Sequence, residues 1–105
     1  MLVQITPANA EEILGGELPV VLDFYTKSCG PCMKVAEVMK ELADELDGKV
    51  IIGKVDCEEN DDLVFEHRVM AVPTVLLVKN GKAVKRISGA PTKQAFLDEI
   101  NKNLL

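Results

Sequence analysis

Residues 18–32 of the chain read LPVVLDFYTKSCGPC, and this segment decides the fold. Residues 18–25 form a dense apolar run of strand length that contains one carboxylate, Asp23. Such a run is typical of a central strand that is covered on both faces. Pro31 then opens a helical pattern, because a helix tolerates proline in its first turn, where the missing N–H is not needed. The segment therefore predicts a buried strand followed at once by a helix, with two cysteines at the junction.

The helix that begins near Pro31 carries one continuous apolar stripe. The charged residues of this segment all fall outside the stripe, so we expect the helix to lie on the sheet with the stripe inward. Gly48 follows where a left-handed C-terminal cap belongs. The stripe consists of Val35, Val38, Met39, Leu42 and Leu46.

The rest of the chain alternates between strand and helix patterns. Asn80-Gly81 is a strong signal for a two-residue hairpin, and Asn60 and Thr92 are suited to cap helices. The alternating first part predicts parallel strand pairing, and the hairpin adds antiparallel pairing. We therefore predict a single α/β domain over residues 1–105, with a mixed central β-sheet of about five strands flanked by four helices. The other strands are expected at residues 2–5, 50–55, 74–79 and 82–88, the last of these at a sheet edge. The other helices are expected at residues 9–14 and 60–68 and from Thr92 onward. The last helix should turn Phe96, Leu97, Ile100 and Leu104 inward.

Composition excludes several classes of function. The 105 residues carry a net charge of −5, which argues against a nucleic-acid partner. No apolar stretch approaches the roughly 20 residues that span a bilayer, so we expect no membrane segment. The first five residues lack the basic and then apolar pattern of a secretory signal. Three cysteines, an odd number, fit a disulfide framework poorly and a reducing compartment well, so we expect a cytoplasmic protein.

The two cysteines of Cys29-Gly30-Pro31-Cys32 are placed for redox chemistry. Two intervening residues let both sulfurs meet within one helical turn. The N-terminus of a helix presents unpaired N–H groups and positive potential, which stabilise a thiolate. The thiolate is the nucleophile of disulfide exchange. We expect Cys29, the more N-terminal and more exposed, to attack the substrate and Cys32 to resolve the mixed disulfide.

Two other interpretations of the cysteine pair stay open at this point. Zinc normally needs four ligands and the chain has one CxxC, so a zinc site would require Cys57 and His67 to complete it. The pair could also be two inert core cysteines. Taken separately, Cys57 is interpreted as a packing thiol, and His67 has no nucleophile or acid beside it in sequence.

Four motifs together resemble the thioredoxin family over essentially the whole chain. They are residues 21–24 (VLDF), residues 29–32 (CGPC), residues 72–74 (VPT) and Gly89-Ala90. The resemblance implies the thioredoxin fold and a monomeric reductase of protein disulfides. It implies no bound cofactor, because the electrons reside on the redox-active Cys29–Cys32 disulfide. The implied partners are a thioredoxin reductase and client proteins such as ribonucleotide reductase, peroxiredoxin and methionine sulfoxide reductase.

The resemblance also gives roles to Asp23 and Lys54. A carboxylate within an apolar strand is costly to bury in its charged form, so burial predicts a raised pKa for Asp23. In the family the matching aspartate exchanges a proton with the buried cysteine through water, which implies this role for Asp23 toward Cys32. The matching family lysine implies that Lys54 tunes Asp23 electrostatically. The alternatives are a solvated Asp23 at a sheet edge and an ordinary surface lysine.

A docking surface for clients is implied around the cysteines. The family resemblance implies a cis bond before Pro73, which would turn the Val72 backbone toward the cysteines for a short β-like contact with an extended client. The alternative is that these are ordinary turn residues. The docking surface comprises Gly30, Pro31, Ala71, Val72, Pro73, Gly89 and Ala90.

Two positions depart from the family pattern. Ser28 stands where the family usually has a tryptophan, and Met33 stands where many members have a lysine. Neither change removes a group needed for exchange, but both bear on partner range and redox potential. Two rival functions are a disulfide oxidase or isomerase and a binding subunit without turnover. The Gly-Pro pair between the cysteines resembles reductases more than oxidases, and this resemblance, with the lack of a secretory signal, argues against the first. Retention of both cysteines with Asp23 argues against the second.

Overall fold

A computed structural model describes all residues, 1–105, and its elements follow the sequence patterns closely. The apolar run becomes a strand that starts only after Pro19, a residue without the N–H that a strand ladder uses. In chain order the elements are β1 (Leu2–Gln4), α1 (Ala10–Leu14), β2 (Val20–Tyr25), α2 (Gly30–Glu45), β3 (Ile51–Asp56), α3 (Asp61–Glu66), β4 (Thr74–Lys79), β5 (Lys82–Ser88) and α4 (Lys93–Asn103).

The five strands form one mixed sheet in the order β1-β3-β2-β4-β5. β2 pairs in parallel with β3, which in turn pairs in parallel with β1. β4 runs antiparallel to β2, and the hairpin partner β5 closes the far edge. The predicted five-stranded mixed sheet with four helices is thus confirmed, as are the central place of β2 and the edge place of β5.

Helices cover both faces of the sheet and divide the core in two. On one face Val21 packs with residues of α2 and α4, including Met39 and Phe96. On the other face Phe24 packs with residues of α1 and α3, including Leu63. Consecutive residues of β2 therefore point into opposite cores, as the covered-strand interpretation predicts.

Two capping expectations need correction. α2 ends at Glu45, and Gly48, although its φ is +82°, lies in the following turn rather than directly at the cap. Asn60 is the N-cap residue of α3, but its side chain makes no capping bond. The Asn60 amide instead donates to the Asp56 carbonyl at 2.9 Å, because the turn folds back on the end of β3. Thr92 does cap α4, its hydroxyl accepting from the Ala95 N–H at 3.2 Å.

No helix of the chain is both long enough and apolar enough to cross a membrane.

Candidate active site

The junction of β2 and α2 places the two cysteines at one edge of the sheet. β2 ends at Tyr25, residues 26–28 form the connection, and Cys29 is the N-cap of α2. The Cys29 Sγ accepts a hydrogen bond from the Cys32 N–H at 3.1 Å. Cys29 and Cys32 are joined by a disulfide, with their Cα atoms 5.2 Å apart. Both sulfurs therefore meet within one helical turn, as the spacing predicts.

The two cysteines differ in access to solvent. Cys29 is half-buried, whereas Cys32 is only 3% exposed. The first turn of α2 contains no acidic residue. The positive end of the helix consequently faces the Cys29 sulfur without a competing negative side chain. This arrangement stabilises a thiolate at Cys29 and keeps Cys32 behind it.

Asp23 lies on the face of β2 that α2 and α4 cover. It shares this face with Val21, because side chains two residues apart in a strand point the same way. Asp23 is fully buried, and neither of its carboxylate oxygens has a hydrogen-bond partner. Burial raises the pKa of Asp23 to about 6, and the positive charge of Lys54 acts in the opposite direction. The carboxyl is thus buried, as its apolar surroundings predict, rather than solvated at an edge.

Lys54 is the direct neighbour of Asp23 across β2 and β3. Its side chain is half-buried, and the Nζ lies 4.4 Å from the centroid of the Tyr25 ring. The Tyr25 hydroxyl accepts a hydrogen bond from the Gln4 amide at 3.4 Å. Lys54 is therefore held on the Tyr25 ring by a cation–π contact rather than extended into solvent as an ordinary surface lysine.

A cavity of about 200 Å³ reaches Cys32 from the side of β3. Water can enter a cavity of this size where polar groups line it, and Lys54 and Thr26 provide such groups. The cavity therefore offers a route for water toward the buried sulfur. Its wall consists of Tyr25, Thr26, Lys27, Cys32, Met33, Ala36 and Lys54.

Strand register brings the predicted docking residues to the edge that carries the cysteines. Phe24, near the end of β2, pairs with Thr74 at the start of antiparallel β4. Thr74 pairs in turn with Ser88 at the end of β5. The segments that flank these three residues therefore meet at one edge of the sheet. They contain the cysteine pair, the Val72–Pro73 bond and Gly89-Ala90.

The loop of residues 71–73 is anchored on both sides, and its central backbone is unpaired. The Val72–Pro73 bond is cis. The Thr74 hydroxyl donates to the Ala71 carbonyl at 2.6 Å, and the Gly89 N–H donates to the Pro73 carbonyl at 3.1 Å. Neither the N–H nor the C=O of Val72 takes part in any backbone hydrogen bond of the chain. Gly30, Pro31, Ala71, Gly89 and Ala90 are exposed, Val72 is half-buried, and Pro73 is buried.

Comparison with known proteins places this geometry in a family. The family description "Thioredoxin" matches residues 1–102 of the chain. The chain belongs to the thioredoxin family. It is 36% identical to a thioredoxin of Chlorobaculum thiosulfatiphilum over 93 residues, which cover 89% of the chain and 86% of that protein. It is 37% identical to a thioredoxin of Mycobacterium tuberculosis over 100 residues, which cover 94% of the chain and 86% of that protein.

A third relative is a longer protein of Mycobacterium leprae, named bifunctional thioredoxin reductase/thioredoxin. It is 35% identical over 100 residues, which cover 94% of the chain and 22% of that protein. Membership of the thioredoxin family and the close cysteine pair together support thiol–disulfide oxidoreductase chemistry.

The thioredoxin fold keeps the third cysteine and the histidine out of this chemistry. Cys57 is half-buried and packs against the core that Phe24 occupies. Burial, together with the nearby negative charges of Asp56 and Asp23, raises the pKa of Cys57 to about 11. The His67 Nδ1 is 2.9 Å from the Leu63 carbonyl, and its ring packs beside Phe24. No group of three metal-binding side chains converges anywhere in the chain, so the fold does not assemble the zinc set considered from the sequence.

Sequence reasoning did not identify Asp56 and Lys27 as part of this thioredoxin site. Asp56 is 4% exposed, and one of its oxygens lies 3.7 Å from the Lys27 Nζ in the connection before Cys29. Its other oxygen accepts from the Glu58 N–H at 3.0 Å. Asp56 thereby ties the end of β3 to the segment that carries the cysteines. The available signal in the sequence was its place at the end of a predicted buried strand; its position opposite Tyr25 is known only from the structure.

Proposed function

We propose that the chain reduces protein disulfides, with Cys29 as the attacking and Cys32 as the resolving cysteine. The observation that carries this proposal is the difference in access between a half-buried Cys29 at the helix N-terminus and a buried Cys32 behind it. Only the first sulfur can meet a disulfide on a large partner. Only the second is held within reach of a mixed disulfide formed at the first.

The reaction begins from the dithiol form. The Cys29 thiolate attacks one sulfur of the client disulfide, the client S–S bond breaks, and the other client sulfur leaves as a thiolate that takes up a proton. Cys32 then loses its proton and attacks the Cys29 sulfur, which breaks the mixed disulfide and releases the second client thiolate. Two electrons pass to the client, and the chain is left with the Cys29–Cys32 disulfide.

Asp23 accepts the proton of Cys32 in this scheme. Its support is a carboxyl buried beneath α2 whose pKa of about 6 is close to neutral pH, where a general base works best. The cavity beside Cys32, whose wall includes Lys54 but not Asp23, has room for the water that would take up the proton at the sulfur. Lys54 limits the rise in the pKa of Asp23, and so keeps the carboxylate ionised at neutral pH.

Clients dock along the loop of residues 71–73. The unpaired N–H and C=O of Val72 can each bond an extended client segment, as an added β-strand does. The exposed Gly30, Pro31, Gly89 and Ala90 leave room for the client backbone to approach the sulfurs. Small side chains at these positions suit many different clients.

A separate thioredoxin reductase restores the dithiol. The Mycobacterium leprae relative, whose name joins a thioredoxin reductase to a thioredoxin, supports this partner. The electrons reside on the two sulfurs, so the chain needs no bound cofactor. By family resemblance the clients are ribonucleotide reductase, peroxiredoxin and methionine sulfoxide reductase. The chain acts on them as a monomer in the cytoplasm.

A trapping experiment tests the order of attack. Cys32→Ser should form a stable mixed disulfide with a client, because the resolving thiolate is gone, and mass spectrometry should locate it on Cys29. Cys29→Ser should neither reduce clients nor trap them, and Cys57→Ser is the matched control that should behave as the unmodified chain. Full turnover by Cys32→Ser would refute the assignment of the resolving cysteine.

The reduction potential of the Cys29–Cys32 couple tests the direction of transfer. It is measured by equilibration with glutathione redox buffers. A value near or below the cytosolic glutathione poise supports a reductase. A far more oxidising value would instead support an oxidase or isomerase.

A further inference from the structure

The four methionines of the chain differ sharply in exposure. Met33 and Met70 are 68% and 93% exposed, whereas Met39 is fully buried in the core. Met1 is also exposed, at 58%. Long apolar side chains that lie open to water offer their thioether sulfur to solvent oxidants.

The two most exposed methionines lie beside the site. Met33 directly follows Cys32, and both line the cavity of about 200 Å³. Met70 directly precedes Ala71, and both line a surface recess of about 400 Å³ that also contains Ser88, next to Gly89. Met33 is therefore next to the buried cysteine on the β3 side of the site, one residue beyond Cys32 and two beyond Pro31 of the docking surface. Met70 borders the docking surface directly, through Ala71.

Met1 provides an internal comparison because it is remote from the site. Its ammonium group bonds the Ala43 carbonyl at 3.1 Å and the Asp47 carboxylate at 3.0 Å, near the C-terminal end of α2. Ala43 lies about 16 Å along the helix axis from Cys32, at a rise of about 1.5 Å per residue. Oxidation of Met1 therefore leaves the docking surface unchanged.

We propose that Met33 and Met70 are oxidation sites whose conversion to methionine sulfoxide weakens the docking of protein disulfides. The proposal rests on the proposed function. In the modifying step the thioether sulfur attacks one oxygen of hydrogen peroxide, an S–O bond forms, the O–O bond breaks, and water leaves. The sulfur is oxidised by two electrons and the peroxide is reduced. Each flexible apolar side chain becomes polar, which disfavours an apolar contact with a client.

In the disulfide form of the chain, the exposed methionines are the sulfur groups most open to reaction with peroxide. Cys29 and Cys32 carry no thiolate in that form. Cys57 stays protonated at neutral pH, because burial and neighbouring charge raise its pKa to about 11, and the thiol is far less reactive than the thiolate. Met39 is out of reach of solvent. The thioethers of Met1, Met33 and Met70 are thus the accessible targets.

The experiment treats the disulfide form of Cys57→Ser with hydrogen peroxide, removes the peroxide, and maps sulfoxides by peptide mass spectrometry. Two rates are then measured: turnover of insulin, a protein disulfide, with dithiothreitol as electron donor, and the single-turnover reaction of the reduced protein, freed of dithiothreitol, with a small aromatic disulfide. With Met33 and Met70 oxidised, insulin turnover should fall by about threefold or more, since contacts around an interface are individually modest. The rate with the small disulfide should stay within about twofold, because a small reagent uses little docking surface.

The matched variant carries Met33→Leu and Met70→Leu, and each protein is compared with its own untreated sample. The treated variant should keep its untreated insulin rate even though Met1 is oxidised. The proposal is overturned if the variant loses the same fraction of activity as the parent, or if the doubly oxidised parent keeps its insulin rate. An untreated chain that fails to reduce insulin at all would overturn the proposed function itself, and this inference with it.

Discussion

Asp23 and Lys54 are direct neighbours across β2 and β3, yet their charged groups form no ion pair. The Lys54 Nζ lies over the Tyr25 ring, 4.4 Å from its centroid, and both Asp23 oxygens remain without a hydrogen-bond partner. The Asp23 carboxylate therefore loses the free energy of hydration on burial, and its attraction to Lys54 compensates for only part of that loss. This imbalance keeps its pKa near neutral, where proton exchange with a thiol is useful.

Asp23→Asn should remove the loss of folding stability that ionisation of Asp23 causes as the pH rises. An acid whose pKa rises from 3.8 to about 6 on folding contributes stability below pH 3.8, and that contribution is lost as the pH rises through 6. Ionised Asp23 thus costs up to about 3 kcal/mol at pH 8, at about 1.4 kcal/mol per pKa unit. The asparagine variant should gain stability over the parent chain between pH 4 and pH 8 in urea unfolding.

The control for this stability measurement is Asp44→Asn, because Asp44 is exposed on α2. Its stability difference from the parent should not change with pH. A difference for Asp23→Asn that is equally flat from pH 4 to pH 8 would contradict a raised pKa.

Asp23→Asn should also slow the reduction of clients. In the proposed reaction Cys32 loses its proton acceptor with this carboxylate, and we expect turnover to fall by about tenfold or more near neutral pH. The first attack by Cys29 should change much less. Rapid-mixing measurements that separate formation of the mixed disulfide from its resolution check this, and an equal effect on both steps would count against a relay to Cys32.

Lys54→Gln should raise the pKa of Asp23 further, because the opposing positive charge is removed. The titration of the Asp23 carboxyl carbon by NMR measures the shift. Lys49→Gln is the matched control, since Lys49 is exposed just before β3. If Lys54→Gln left the titration of Asp23 where it is in the parent chain, Lys54 would have no tuning role.

Ser28→Trp should change partner recognition more than thiol reactivity. A tryptophan would add a large apolar face beside the sulfurs, and aromatic side chains dominate interface energetics. The thiolate of Cys29 depends on the helix N-terminus, which Ser28 does not supply. Alkylation of Cys29 by a small reagent should change by less than about twofold, while turnover with a protein disulfide changes by about fivefold or more. Comparable shifts in both rates would mean that Ser28 acts on the sulfur directly.

Thr74→Val should loosen the proline loop. The substitution keeps the shape of the side chain but removes the hydroxyl that donates to the Ala71 carbonyl at 2.6 Å. We expect a loss of about 1 kcal/mol in the free energy of unfolding, the usual net value of such a bond. The KM for a protein disulfide should rise. Thr74→Ser retains the donor and should restore most of both properties; a serine variant as impaired as the valine variant would show that the hydroxyl is not responsible.

Much of the fold could be predicted from local signals in the sequence. The buried strand, the apolar stripe of α2 and the Asn80-Gly81 hairpin each rest on patterns that neighbouring residues impose, and β4 and β5 have the predicted bounds. Capping was less predictable. The Asn60 side chain bonds the Asp56 carbonyl instead of the helix, because the chain reverses there and offers a closer acceptor.

Contacts between distant segments could not be predicted from single residues. The burial of Asp56 and its ion pair with Lys27 depend on the register of β2 against β3, which the sequence pattern does not fix. The contact of Lys54 with Tyr25 likewise depends on strand register. It also depends on the Lys54 side chain lying over the Tyr25 ring and not against the Asp23 carboxylate. The family resemblance pointed to Asp23 and Lys54 as site residues. That their charged groups do not form an ion pair could be seen only in the folded sheet.

The two edge strands of the sheet determine where an extended polypeptide could add to it. β1 is three residues long, and β5 presents Lys82, Lys85 and Arg86 to solvent along its length. Short or positively charged edges resist the addition of a further strand. The outer strands are therefore poor sites for an extended polypeptide, whereas the proposed docking site at Val72 keeps its backbone groups unpaired. The sheet is in this way protected from co-aggregating with the molecules it meets.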